Sequence, residues 1–335
     1  MTSNEVKHDY YKVEKMTYNK GQGCTALETI PKGTLIFKGK PEFFVPISDI
    51  NGQKFATNFM KTFNRLSDAQ QEEYLSIHTS IGATEDEFFH SIVSIGRLLD
   101  STRREDEKIR LKRIFGIYLT WNRNEECDEG HIYLEGSRFN HSCLPNALSF
   151  INPHTKEIEI RVWKKIEKGQ DITLDYCWDL NSMKIPKARI GMIQSKLGFI
   201  CECELCTSVK GFNDNFAKYF EYNNLKSELG RRRTLPPSLE NSMKQVELVK
   251  KMYGIAREMK CSPKYLLYFL LTKGFSAAKD GCIISNDLNN LKVRSIFLKE
   301  QEIFSNAAAK VFEKITGKPG KDWNYYVLEY LFSTK

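Results

Sequence analysis

The sequence has no long apolar run. Its longest strongly apolar stretch, Tyr265 to Leu271, is far short of the ~20 residues that span a bilayer, so no membrane role is expected. The opening MTSNEVKHDYYKVEK has no apolar stretch after its first charges, so no secretory signal is expected. There is no internal repeat and no low-complexity segment, which excludes a solenoid or a disordered tract. No basic run is interleaved with aromatics as on a single-strand-binding surface; direct nucleic-acid binding is not expected. Residues 48–126 contain no cysteine. The nine cysteines are odd in number and follow no signal peptide, which argues against a disulfide framework and for a reducing intracellular compartment, nucleus or cytoplasm.

What is present is ordinary in bulk. The 335 residues are 41% hydrophobic and 27% charged, and that length holds roughly two globular domains. The net charge of +8 favours acidic partners. Arg103-Arg104 and Lys108 to Arg113 are mixed with Glu105, Asp106 and Glu107 and read as a charged helix face. Arg231-Arg232-Arg233, ahead of Pro236-Pro237, reads as an exposed linker.

Periodicity divides the chain. In residues 10–47, turn signals at Lys20 to Gly23 and Pro31 to Gly33 separate short β-prone runs such as Thr34 to Phe37 and Phe43 to Ile47. Residues 48–114 turn helical: Phe55, Phe59, Phe63 and Leu66 recur at helical spacing, as do Phe88, Ile92, Ile95 and Leu99. Strands return in residues 115–180. Ala147 to Ile151 and Ile158 to Trp163 flank the turn cluster Asn152 to Thr155 and are expected to pair; Glu167 to Gln170 leads into Asp171 to Tyr176. A segment 181–210 carries a cysteine cluster, and 211–335 is mostly helical. There Ser238 can cap a helix with Leu239, Met243, Val246, Val249 and Tyr253 on one face. A second stripe runs from Ile303, Phe304, Ala307 and Ala308 to Val311, Phe312 and Ile315.

Two stretches carry chemistry. Cys201-Glu202-Cys203-Glu204-Leu205-Cys206 packs three sulfurs too closely for core packing alone. Zinc takes four ligands in a structural site, with thiolates at about 2.3 Å, so three local cysteines need one remote partner. By residue type that is Cys143, Cys177, Cys127, Cys24, Cys261, Cys282 or a histidine. The second stretch is Ser137-Arg138-Phe139-Asn140-His141-Ser142-Cys143-Leu144-Pro145-Asn146. Read locally, Pro145-Asn146 is a turn and the polar side chains can bond nearby backbone. Neighbouring residues on a strand face opposite ways, so His-Ser-Cys is not a nucleophile and its base.

Taken in order, G-Q-G-C-T-A-x-x-x-I-P-K-G-T, R-F-N-H-S-C-x-P-N, I-x-K-G-Q-D-I-T-L-D-Y and G-F-x-C-x-C-x-x-C resemble a SET domain with its post-SET zinc segment. The likeness covers about 10–47 and 115–206 and is nearest to SMYD-like proteins, fungal members included. It departs from them at residues 48–126, where the missing cysteines leave no MYND finger, and in a shorter C-terminal helical region.

The resemblance implies an α+β fold: small SET sheets, a helical insert, a post-SET zinc site and a helical C-terminal region. It implies a protein-lysine N-methyltransferase that uses S-adenosylmethionine. Gly21, Gln22 and Gly23 would form the cofactor loop. Asn140 and His141 would contact the cofactor, and Asn122 would hold its methionine end. Phe199 would cover the adenine and Tyr176 would be the catalytic tyrosine at the cofactor site. Cys143, Cys201, Cys203 and Cys206 would hold one structural zinc. The expected partner is a protein substrate with a target lysine, a histone tail or another protein, met by a monomer. The competing expectation is a SET-like scaffold that binds a partner with little or no catalysis. An amine acceptor must be neutral although lysine ordinarily titrates near ~10.4, which a narrow apolar channel and a nearby sulfonium both favour.

Overall fold

The computed structural model describes residues 10–16, 21–46, 52–81, 85–121, 129–151, 155–176, 186–207, 216–258 and 264–316. Its strands are β1 (Tyr11–Lys15), β2 (Gln22–Ala26), β3 (Leu35–Gly39), β4 (Phe43–Pro46), β5 (Glu129–Ile132), β6 (Asn140–His141), β7 (Ala147–Ile151), β8 (Ile158–Val162) and β9 (Asp171–Leu174). They form three small sheets, β1-β2-β9-β6, β3-β8-β7 and β4-β5. All neighbours pair antiparallel except β6 and β9, which run parallel with Asn140 opposite Thr173 and His141 opposite Leu174. The expected hairpin is present: β7 pairs with β8 from Ala147↔Val162 to Ile151↔Ile158. The alternation of Ile158, Ile160 and Val162 puts all three in the core, as a half-buried strand requires.

Between β4 and β5 lies the insert: α1 (Phe55–Phe63), α2 (Asp68–Leu75), α3 (Asp86–Ser91), α4 (Val93–Ser101) and α5 (Glu105–Trp121). Phe55, Phe59 and Phe63 are buried on one face of α1, as their spacing predicts. Ser67 caps α2 in a reciprocal capping box with Gln70. The stripe from Phe88 to Leu99 is not one helix. Ile92 is extended (φ −96°, ψ 96°) and separates α3 from α4, so Phe89 fills the core instead of Phe88. The adjacent β-branched pair Ile92-Val93 resists helical packing at that point. Helix α5 continues through residue 114 to Trp121. Its basic residues are not all solvated: Lys112 is 7% exposed and pairs with Asp86.

After β9 come α6 (Pro186–Leu197), α7 (Glu204–Thr207), α8 (Phe216–Arg233), α9 (Leu239–Glu258), α10 (Lys264–Asp287) and α11 (Leu291–Thr316). Arg231, Arg232 and Arg233 are no linker; they form the last turn of α8, where Glu228 pairs with Arg231 and Arg232 and positive charge suits the helix dipole. Ser238 caps α9 by accepting the Asn241 N–H at 3.1 Å. In α11 Phe304 and Ala308 are buried, whereas Ile303 is exposed. No described helix is long and apolar enough to cross a membrane.

The core has three parts. One lies inside the insert and one between the sheets. The third joins Cys143, Ile193, Leu197, Cys201 and Cys206 to Tyr222, Val246, Val249 and Phe304 of the C-terminal helices. The C-terminal helices thus share a core with the cysteine cluster.

Candidate cofactor and metal site

The parallel pairing of β6 with β9 builds the site. Asn140 and His141 lie on β6, and Tyr176 follows β9 by two residues. Asn146 pins the two segments together: its amide donates to the Asp171 carbonyl at 2.8 Å and its oxygen accepts the Thr173 N–H at 2.8 Å. The local reading of Pro145-Asn146 as a turn is therefore incomplete, since Asn146 reaches across to β9.

Gly21, Gln22 and Gly23 lie against the same strands. Gly21 adopts φ +66°. The Asn140 amide donates to the Gln22 carbonyl at 3.2 Å. A Cβ on Gly23 would stand 2.3 Å from Asn140 Nδ2, so glycine leaves the room that the Asn140 side chain occupies. Asn122 lies outside the described residues.

His141 sits between the cysteines and the tyrosine. Its side chain is 1% exposed. Nδ1 accepts the Tyr176 backbone N–H at 3.1 Å, so the proton of the neutral ring belongs on Nε2. Nε2 then donates to Cys143 Sγ at 3.3 Å. Burial pushes His141 down to about 4, with Cys203 opposing and Arg189 assisting. The Asp175 carboxylate is 3.7 Å from Nδ1.

Tyr176 packs its ring 5.4 Å from that of His141, and its hydroxyl donates to the Phe139 carbonyl at 2.6 Å. Burial, then Cys24, pushes the phenol above the ordinary tyrosine range, so it is a neutral donor and not a tyrosinate base. Phe199 also packs against His141, with ring centroids 6.0 Å apart.

Cys143, Cys201, Cys203 and Cys206 converge, with all four sulfurs within 4.8 Å of one another. Cys143 Sγ is 3.9 Å from Cys201 Sγ and 3.7 Å from Cys206 Sγ. Four thiolates about 2.3 Å from one zinc would stand about 3.8 Å apart, so the donor set fits a tetrahedral zinc. The remote partner left open by residue type is Cys143. Neighbouring sulfurs, Cys201 first, and burial push the Cys143 thiol up, while hydrogen bonds led by that from Cys143 pull Cys206 down to about 7. A divalent cation is what would allow all four to ionise together.

Arg189 had no signal in the sequence, being a lone arginine in a short helix. It is fully buried; Nε donates to Cys206 Sγ at 3.3 Å and Nη2 to the Leu205 carbonyl at 2.6 Å. His78, equally isolated in sequence, places Nε2 2.8 Å from the Leu197 carbonyl, close to Phe199.

The SET domain family model matches residues 21–177, and the fold, small sheets around a helical insert, is that of a SET domain. Over that region the chain is similar to SET domain-containing proteins, histone-lysine methyltransferases among them. It is 27% identical over 205 residues to a SET domain-containing protein of Acanthamoeba polyphaga mimivirus, covering 56% of this chain and 74% of that one. It is 24% identical over 204 residues to the histone-lysine N-methyltransferase set5 of Schizosaccharomyces pombe, covering 61% of this chain and 52% of the yeast protein. The match thus spans about half the length of the yeast enzyme. The solved SET domain of LSMT bound to lysine and AdoHcy aligns with 98% of this chain and 89% of its own at a TM-score of 0.38 and 13% identity, a likeness too loose to carry an argument.

Proposed function

We propose that this chain transfers a methyl group from S-adenosylmethionine to lysine side chains of proteins, histone tails among them, and that Cys143, Cys201, Cys203 and Cys206 hold one structural zinc. The observation that carries the reading is that one parallel strand pair brings Asn140 and His141 together with Tyr176 just past its other strand, with Cys143 two residues from His141 beside the other three cysteines. S-adenosylmethionine supplies the electrophilic methyl on its sulfonium. Asn140, with the Gly21–Gly23 loop, forms the polar wall, and Phe199 offers a flat apolar cover. The neutral Tyr176 hydroxyl faces the reaction as an oriented dipole. Holding acceptor and donor in line accounts for much of the expected rate. We assign the chain to the SMYD-like, post-SET-bearing branch on its motif order, and propose that it acts as a monomer in nucleus or cytoplasm.

The test is a methylation assay with labelled S-adenosylmethionine and core histones, followed by a mass-spectrometric screen of other proteins. Incorporation into lysine is expected. Tyr176→Phe should reduce turnover strongly and leave cofactor binding near the wild-type value. A chain that binds the cofactor but labels no protein in either screen would point to a scaffold instead.

A further inference from the structure

One turn of the insert touches both walls of the proposed cofactor site. It is held from beneath. The Arg113 guanidinium donates to the Leu75 carbonyl at 3.0 Å and the Ile77 carbonyl at 2.6 Å. Thr120 Oγ1 accepts the Ser80 N–H at 3.1 Å and itself donates to the Gly116 carbonyl at 2.8 Å. Ile77 and Ile81 are buried in the insert core. The turn is therefore fixed before it meets anything else.

Two sets of contacts leave it. Arg138, two residues before Asn140, donates to the Glu73 carbonyl at 3.1 Å and to Ser76 Oγ at 2.8 Å. On the other side His78 Nε2 meets the Leu197 carbonyl at 2.8 Å. A carbonyl only accepts, so Nε2 carries the proton and His78 donates. Next to it Ser80 packs on Gly198, where a Cβ would stand 2.7 Å from Ser80 Cβ. Gly198 has φ +74°, a conformation that costs other residues, and this bend delivers Phe199. The Phe199 ring lies edge-on to His78 at 6.3 Å and tilted to His141 at 6.0 Å.

We propose that His78 is a positioning residue of the cofactor site: it fixes the carbonyl of Leu197 and thereby the reach of the Phe199 ring. The proposal rests on the methyltransferase reading, since it assigns His78 a part in holding S-adenosylmethionine. It gives the insert a second task. Besides filling the space between β4 and β5, it braces the segment that carries the aromatic cover, with the cysteine cluster bracing that segment from its other end.

The test uses the full chain in five forms: wild type, His78→Ala, His78→Gln, Phe199→Ala and the His78→Ala/Phe199→Ala pair. S-adenosylmethionine is titrated by calorimetry, and zinc content and thermal melting are measured on the same samples. Losing one such hydrogen bond should weaken cofactor binding about fivefold in His78→Ala, with zinc retained. A glutamine amide can donate to the same carbonyl, so His78→Gln should recover most of the affinity. Acting through the same ring, the double variant should bind about as weakly as Phe199→Ala alone. Cofactor KM should rise in His78→Ala while kcat at saturation stays near wild type. Wild-type affinity in His78→Ala, or additive losses in the double variant, would overturn the assignment. So would loss of zinc or of cooperative melting in both His78 variants, which would make the residue one of folding. A wild-type chain that takes up no cofactor sinks both this proposal and the methyltransferase reading.

Discussion

Gly23→Ala should cost the protein its cofactor more than its fold. The added methyl would stand 2.3 Å from Asn140 Nδ2, 2.6 Å from Met16 Cγ and 2.9 Å from Met16 Sδ. All three are side-chain atoms, so the side chains move and the sheet stays. Overpacking of this kind costs about 1–3 kcal/mol. The bond from Asn140 to the Gln22 carbonyl is lost, roughly 1 kcal/mol more. Reduced freedom of the unfolded chain returns about 0.4–1 kcal/mol. The net is about 2 kcal/mol. Gly21→Ala makes the contrast: nothing lies within 4 Å of its Cβ, but φ is +66°, which costs a side chain about 1–2 kcal/mol. The two variants should therefore be similarly destabilised in urea. They should separate in calorimetric titration. Displacing Asn140 removes a hydrogen bond to a charged ligand, about 1.5–3 kcal/mol, so Gly23→Ala should bind S-adenosylmethionine at least about tenfold more weakly. Gly21→Ala, which leaves Asn140 in place, should lose less. Equal affinities for the two variants would refute the placement of Asn140 against the cofactor.

Three further outcomes are expected. Stripping metal with a strong chelator should release one zinc per chain by elemental analysis and abolish cofactor binding with it; binding that survives removal would separate the two sites. Burial raises the Tyr176 phenol above its unfolded value of about 10. The folded chain thus holds this proton more tightly, a contribution present below that pH and lost as pH rises toward the folded value. Comparison of wild type with Tyr176→Phe should then show no tyrosinate absorbance from this residue below about pH 10, and less alkaline loss of stability in the variant. Ser67→Ala removes the cap on α2 and should cost about 1 kcal/mol in urea denaturation, with cofactor affinity unchanged.

The strands and helices were legible where a pattern was local. The alternation in β8 and the Phe55-Phe59-Phe63 stripe name their buried faces directly. The Cys201–Cys206 spacing declares three ligands, but the fourth is 58 residues from Cys201, and no local rule could choose Cys143 from the other cysteines; motif order did. Arg231 to Arg233 look like linker beside Pro236-Pro237, yet the helix runs on to Arg233. Isolated residues that act at long range were silent. His78 meets a carbonyl 119 positions away, and Arg138 bonds to a serine 62 positions away. Each is one polar side chain in an unremarkable stretch, and only tertiary packing gives it a partner.

Arg189 sets the charge balance of the cysteine cluster. Four thiolates and one zinc leave a formal −2, and the guanidinium on Cys206 halves it. The same cation is fully buried, where nearby negative charge helps to offset the cost of burying it, so ionised sulfurs suit it better than protonated ones. Helix α6 and a bound zinc would therefore stabilise each other's arrival. Loss of zinc should be felt first as the loosening of α6, and from there by the Leu197 turn at its end.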